Sequence, residues 1–354
     1  MSKTNHRGGL AKLLVFGFLL LVAAAFAAWQ GWKDYERFTT TELSIGPQEL
    51  VLLVEPGDSF ERVLGRLRKI GIVEGHDYYW KALAWQTDVV RRLRVGEYAI
   101  GHGMTPRRLL DKLERGLVIQ HSFTIVEGWN FRDLRVALAK EEGLTQTIAG
   151  LSHAEVMAAL GKPDQHPEGR FLPETYHFTR GAKDIDLLRR ANTALEKTLA
   201  EEWAKRDPEV PLKSPEEALI LASIVEKETG QASERHRIAG VFARRIKLGM
   251  KLQTDPTVIY GIGEAFDGNI TRVHLQTDTP YNTYARFGFP PTPIAMPGRA
   301  AIEAALHPAP GKDLYFVARG NGFHAFAATL EEHNRNVARY QLRRGAANRN
   351  NAAP

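Results

Sequence analysis

The stretch Ser214–Gly230, SPEEALILASIVEKETG, holds the residues of this chain best suited to chemistry. It reads as a helix with its own start and stop signals. Ser214 can cap it, Pro215 fits the first helical position, Glu217 completes a capping box, and Gly230 stands where helices commonly end. Leu221, Ile224/Val225 and Glu228 are spaced i, i+3/i+4 and i+7, so they share one face. A glutamate that extends an apolar face is partly desolvated, which disfavours its charged form and raises its pKa. A general acid near neutral pH requires that property. Glu226 lies about 200° away around the helix, so the two carboxylates cannot face one cleft together. The apolar pattern selects Glu228. The competing reading of this pattern alone is a solvated helix end, paired with a lysine such as Lys227.

Other chemistries lack their residues. There is no cysteine, which excludes disulfides, thiolate metal sites and a cysteine nucleophile. There is no GxxxxGK(S/T), no HExxH and no GxSxG, and Gly261-Ile262-Gly263 does not continue into a dinucleotide fingerprint. The 12 histidines are scattered; His324 and His333 lack a third partner at metal-like spacing and read as structural or polar. Carboxylate chemistry, with no metal and no cofactor, is what remains.

The 354 residues suffice for two domains with real cores, and 44% hydrophobic with 25% charged residues is ordinary globular composition. Lys3, Arg7 and Lys12 precede Leu13–Trp29, a run without a charged or polar side chain, and Trp29 and Trp32 stand where an interfacial belt would be. A cleaved signal peptide competes, since Ala25-Phe26-Ala27 is an A-x-A pattern. The long run ending in aromatics favours a retained anchor, with the basic N-flank in the cytoplasm and the bulk of the chain outside. A net charge of +6 suits an anionic partner. For an exported chain that means cell-wall polymer or lipid headgroups and not nucleic acid.

The expected fold class is α+β: a single N-terminal transmembrane helix, a small α+β module and a larger α+β domain. Residues 1–12 form the cytoplasmic N-terminus, 13–32 the anchor and 33–48 a polar link. The module spans 49–126. It holds a strand at Glu49–Val54, a helix capped by Asp58 and Glu61, a helix over His76–Leu93, a strand at Gly96–Ile100, a helix from Thr105 to Arg115 and a strand over Val118–Val126. The larger domain spans 127–342, with helices at Phe131–Lys140, Ser152–Leu160, Ile185–Arg206, Ser214–Gly230, Ser233–Leu248 and Arg299–Leu306. A hairpin follows around Arg319-Gly320-Asn321-Gly322, then a last helix from Leu330 to Leu342. Periodicity is lost over Leu252–Gly298, and an irregular stretch of this length inside a domain is usually functional. The tail, 343–354, reads as disordered.

Seven blocks then occur in order: LASIVEKETG, LQTDPTVIYGIG (Leu252–Gly263), PYNTY (Pro280–Tyr284), GFPPTPIAMPG (Gly288–Gly298), His307-Pro308, LYFVARGNGFHAF (Leu314–Phe326) and His333-Asn334. Together they resemble the endolytic murein transglycosylases, the YceG-like family. Upstream, IVEGWNFRDL (Ile125–Leu134) and EGRFLPETYHF (Glu168–Phe178) are similar to the family's earlier blocks, and the part before them to its LysM-like module behind a membrane anchor. The resemblance covers nearly everything except the tail. It implies an enzyme of the bacterial inner membrane, facing outward, that cuts MurNAc–GlcNAc β-1,4 bonds inside nascent peptidoglycan strands and leaves 1,6-anhydroMurNAc ends. It also implies proximity to penicillin-binding proteins and the elongation machinery. The family's catalytic glutamate is the one followed by Thr, which carries over to Glu228. Gln253, Asp255, Tyr281, Asn282 and Tyr284 are the expected sugar contacts, although Asn and Asp equally often satisfy turn backbone, and Asp255-Pro256 equally reads as a turn. A hydrolytic muramidase using Asp255 or another carboxylate to activate water, and a non-catalytic wall-binding scaffold, are the alternatives.

Overall fold

The computed structural model of the protein describes residues 6–342; the tail from Arg343, expected to be disordered, lies outside them. The chain divides into two compact units. One takes residues up to 121 together with 179–181, and the other takes 122–178 and 182 onward.

The first unit begins with a helix over His6–Thr40. Its segment Lys12–Thr40, with mean hydropathy 2.2, is long and apolar enough to cross a membrane, and its most apolar stretch is unburied. The helix does not stop at Trp32. It runs through Lys33–Thr40, which the polar composition assigned to the link, because Tyr35 and Phe38 form an apolar pair at i, i+3 that docks on the module. Phe38 is buried, with ring centroids 5.6 Å from Tyr79 and 5.2 Å from Trp80.

The module is a two-stranded antiparallel sheet, Leu50–Val54 against Gly96–Ile100, with Leu50 opposite Ile100 and Val54 opposite Gly96. The connection between the strands is helical: Phe60–Lys69, Asp77–Gln86 and Val89–Arg92, with Pro106–Arg115 following the second strand. The expected single helix over His76–Leu93 is broken at Asp88, which adopts a left-handed φ of 57°. Ser59 and not Asp58 caps the first helix; the Asp58 carboxylate instead accepts from Glu55 N at 2.7 Å and from Arg66 Nη1 at 2.5 Å. Gly116 ends Pro106–Arg115 at φ 67°, a conformation glycine adopts without Cβ strain. Leu67, Ile72, Trp80, Leu83, Tyr98, Leu109 and Leu110 are fully buried between the layers. Each such side chain stabilises by about 1.5–3 kcal/mol relative to exposure.

In the second unit, helix Pro215–Glu228 sits at the centre. It packs against Asp184–Lys205, Arg235–Lys247 and Arg299–Leu306. Every residue from Ala218 to Val225 is buried, so this helix is apolar all round and is not the one-faced helix its spacing suggested. Small residues allow the close approach: Ala301, Ala304 and Ala305 are fully buried, and a Cβ on Gly240 would lie 2.4 Å from the Ala309 carbonyl oxygen. The strand expected over Val118–Val126 shortens to His121–Thr124. It pairs with an unforeseen strand, Thr175–Phe178, and residues from Ser122 onward, apart from 179–181, belong with the larger unit.

The stretch Leu252–Gly298 is more ordered than its composition indicated. Asp255-Pro256 opens a helix, Asp255–Ile262, and Thr271 caps a short one, Arg272–Gln276. Pro256 is compatible because the first helical turn needs no N–H from it. The hairpin forms as expected, Tyr315–Ala318 against His324–Ala327. Helix Leu330–Val337 follows and ends in a π-helical turn, Ala338–Leu342.

Candidate active site

Helix Pro215–Glu228 starts as its sequence dictates. The Ser214 hydroxyl accepts from Glu217 N at 3.2 Å, and Pro215 stands in the first turn. At the other end Thr229 turns extended (φ −147°, ψ 132°), and the three residues Glu226, Lys227 and Glu228 leave the core in different directions. The Glu226 carboxylate accepts from Gly298 N at 2.9 Å and lies 3.7 Å from Arg235. Lys227 donates to the Gly128 carbonyl at 3.2 Å. The Glu228 carboxylate accepts from the buried Thr254 hydroxyl. Glu226 and Glu228 therefore have separate surroundings, and Lys227 pairs with neither.

Glu228 lines a cleft of about 470 Å³ with Arg245, Gln253, Asp255, Tyr284, Tyr315 and His324 among its walls. Burial pushes the Glu228 carboxyl up to about 7, the charge of Asp255 pushes in the same direction, and the Thr254 hydroxyl and the Arg245 guanidinium partly offset them. Near neutral pH such a group is divided between acid and carboxylate, so it can give a proton and take one back.

The loop bearing Thr254 is fixed by a zip of hydroxyls. Thr254 N donates to Thr283 Oγ1 at 3.0 Å, the Thr257 and Thr283 hydroxyls are 2.9 Å apart, and Gln253 N donates to the Thr283 carbonyl at 3.2 Å. Arg245, buried, donates to the carbonyls of Leu252 (2.8 Å), Lys251 (3.2 Å) and Leu314 (2.7 Å), and to Gln253 Oε1 at 3.3 Å. Gln253 is held at φ 50°, a left-handed conformation unusual for a residue other than glycine, of the kind that collects at functional sites.

Of the residues expected to touch sugar, Gln253, Asp255 and Tyr284 share the cleft with Glu228. The Tyr284 hydroxyl donates to Asp255 Oδ1 at 2.5 Å, and burial together with that carboxylate raises the phenol's pKa. Tyr281 and Asn282 stand elsewhere. The Tyr281 hydroxyl is 2.9 Å from Thr292 Oγ1, and its ring packs against Tyr260 at 4.9 Å. Asn282 is buried and spends its amide on its own loop. Nδ2 donates to the carbonyls of His274, Leu275 and Thr277, and Oδ1 accepts from Tyr284 N and Ala285 N. Sequence reasoning missed Arg245, Thr254 and His324. An arginine and a threonine in ordinary periodic or loop context carry no local sign that they point into a cleft.

A larger cavity of about 1080 Å³ is lined by Arg132, Glu168, Lys227, Tyr260 and Tyr281 but does not include Glu228. Burial pushes the Glu168 carboxyl up to about 7 as well. That group is held by structural donors, however. Both oxygens lie 3.1 Å from Phe131 N at the start of its helix, and Oε2 accepts from the Tyr260 hydroxyl at 3.0 Å. It is 3% exposed and ties the start of helix Phe131–Ala139 to Tyr260. The smaller cleft, which Glu228 lines, is the candidate active site.

A family model described as the YceG-like family matches residues 52–339, well over half of the chain. The chain belongs to the YceG-like family. This YceG-like protein is 31% identical over 309 residues to a Bacillus subtilis (strain 168) protein named endolytic murein transglycosylase, covering 81% of this chain and 83% of the relative. It is 25% identical over 372 residues to a protein of the same name from Streptococcus pneumoniae (strain D39), covering 93% of this chain and 65% of that one. The crystal structure of a YceG-like protein from Listeria monocytogenes superposes with a TM-score of 0.51 at 26% identity. That match covers 82% of this chain and 99% of the other.

The geometry around Glu228 makes a specific expectation for Thr254→Val in this YceG-like protein. The hydroxyl's hydrogen bond favours the carboxylate, so its removal raises the Glu228 pKa further. An enzyme that needs the protonated acid loses activity above that pKa. The alkaline limb of the kcat/KM profile is therefore expected to move up by about 0.5–1 pH, the equivalent of one modest hydrogen bond. A limb that stays put or moves down would detach Thr254 from the titration of Glu228.

Proposed function

We propose that this YceG-like protein is a lytic transglycosylase that cuts peptidoglycan glycan strands internally, with Glu228 as its acid and base. The observation that carries the reading is the Glu228 carboxyl itself, held near neutrality by burial, bonded to Thr254 and open to a cleft walled by polar and aromatic side chains. The names of the relatives support the substrate class.

Glu228 first gives its proton to the glycosidic oxygen between MurNAc and GlcNAc. The C1–O bond breaks with its electron pair on the departing GlcNAc oxygen, and positive charge develops at C1. The C6 hydroxyl of the same MurNAc then bonds to C1 and passes its proton to the Glu228 carboxylate, which restores the acid. One C–O bond breaks and one forms, a 1,6-anhydro end results, and no water is consumed. A hydroxyl on the same ring supplies the nucleophile with the advantage of proximity. Gln253, Asp255 and Tyr284 line the same cleft and would hydrogen-bond the sugar.

A second reading rests on Asp255, which lines the same cleft and is a second carboxylate for two-group hydrolysis. Mass spectrometry of digested strands separates the two. Transglycosylation leaves ends lighter by one water than hydrolysis does. Reducing ends without anhydro products would overturn the first reading.

The same proposal places the catalytic unit outside the cytoplasm behind a retained anchor, in the inner membrane, and near penicillin-binding proteins and the elongation machinery. The unburied apolar helix with its basic N-flank supports the anchor. The first module, two paired strands joined by a helical connection, supports a LysM-like, glycan-binding or spacing role. A phosphatase reporter fused after Pro354 is expected to be active only if exported, with the chain held in the membrane fraction. A mature N-terminus found near Trp29 would show cleavage and refute the anchor.

A further inference from the structure

The candidate cleft contains a histidine that the mechanism above does not use. His324 lies on its wall, at the start of the second hairpin strand. Glu234, in the short turn Ala232–Glu234, reaches across 90 residues of sequence to hold it. Glu234 Oε2 is 2.8 Å from His324 Nδ1, and Oε1 accepts from His324 N at 3.1 Å. Both side chains are 11% exposed. The Phe316 ring stands perpendicular to the imidazole at a centroid distance of 5.3 Å and helps fix its plane.

This arrangement sets the tautomer. A carboxylate accepts only, so Nδ1 carries a proton and donates it to Glu234. In the neutral ring Nε2 is then a lone-pair acceptor. Nε2 has no partner among the described residues and is not among the polar atoms shut off from solvent. A pure staple between turn and hairpin would need only the backbone N–H and a single side-chain bond. It would not need an oriented ring with one nitrogen left over on the wall of a cleft.

We infer that His324, oriented by Glu234, is a substrate-positioning residue whose Nε2 accepts a hydrogen bond from a sugar hydroxyl in the Glu228 cleft. The inference rests on the glycan-cleaving reading and deepens it. The pair works as the histidine–carboxylate pairs of other enzymes do, where the carboxylate fixes ring and tautomer without itself taking the proton. Here the ring holds the sugar while Glu228 moves the protons.

The test uses the full chain and peptide-free GlcNAc–MurNAc oligosaccharides, with cleavage measured for single variants and binding measured in a Glu228→Gln background. Asparagine places its amide near the Nδ1 position of histidine, and glutamine near Nε2. His324→Asn is expected to lose about tenfold in kcat/KM and a similar factor in binding, the equivalent of one lost hydrogen bond. His324→Gln is expected to recover most of both. Glu234→Gln is the sharpest variant. The His324 backbone N–H still needs the amide oxygen, so the amide NH₂ faces Nδ1 and drives the ring proton to Nε2. The acceptor becomes a donor with the fold and the ring in place, and a loss comparable to His324→Asn is expected.

Wild-type cleavage and binding by His324→Asn and Glu234→Gln, with only the melting temperature changed, would reduce the pair to a staple and overturn the inference. So would a His324→Gln variant as impaired as His324→Asn. If wild-type protein binds the oligosaccharide but never cuts it, while the variants still lose binding, the cleavage reading falls and the contact stands.

Discussion

Glu228→Gln is expected to lower glycan-strand cleavage by about 10²–10⁴-fold, while Glu226→Gln keeps most of the activity. The first factor is the usual contribution of a positioned acid/base group. The amide nearly conserves shape and still accepts from Thr254, so folding and binding should survive. Glu226 is bonded to Gly298 N and faces Arg235. Glutamine keeps an acceptor for that N–H and loses only the ion pair with Arg235.

Stability supplies an independent readout of the same carboxyl. Burial raises its folded value to about 7, above the ordinary unfolded value of about 4.3. The native state therefore holds the Glu228 proton after the unfolded chain has released it. Folding stability from this group is full below about 4.3, declines as pH rises through that window, and is lost above 7. Glu228→Gln removes the titration. At pH 8 the variant is expected to be more stable than wild type by on the order of 2 kcal/mol, and the gain should vanish near pH 4. Denaturant unfolding at the two pH values measures it. An active Glu228→Gln beside a dead Glu226→Gln would reverse the assignment. A pH-independent stability difference would show that Glu228 is not desolvated.

The second large effect is structural. Asn282→Ala is expected to destabilise the larger unit by about 2–4 kcal/mol, because it leaves part-buried carbonyls and the Tyr284 N–H without this buried partner. The amide serves three carbonyls and two N–H groups, of which Ala285 N also reaches the Asn282 backbone carbonyl at 3.1 Å. A drop in melting temperature of roughly 10 °C should accompany it. Differential scanning calorimetry checks this. An unchanged melting temperature with a raised KM would instead make Asn282 the sugar contact its sequence context suggested. Tyr284 would suffer indirectly, since Asn282 Oδ1 holds its backbone N–H in place.

Much of this protein is written in short-range signals. Ser214 and Pro215 start the central helix, Thr105 and Gly116 bound another, Ser152 and Glu155 form a capping box, and the Gly-Asn-Gly turn makes the hairpin. Each signal acts within a few residues, so it survives translation from sequence to structure unaltered. The Glu228-Thr229 pair, within its ordered blocks, likewise pointed to the candidate carboxyl from sequence alone. Partner choice was not legible, because the partners come from far along the chain. The helix carrying Glu228 is buried on every side, so its apolar spacing could not by itself say which carboxylate meets open space. Burial raises the Glu228 pKa while Thr254, 26 residues away, and Arg245 partly offset it, and Gly298, 72 residues away, takes up Glu226. The same holds for Phe38, whose docking on Tyr79 and Trp80 carries the first helix past its apolar run, and for Glu234, which selects the tautomer of His324 across 90 residues. Caps and turns are decided by the residues beside them. Desolvation, tautomer and orientation are decided by whatever the packed core brings alongside.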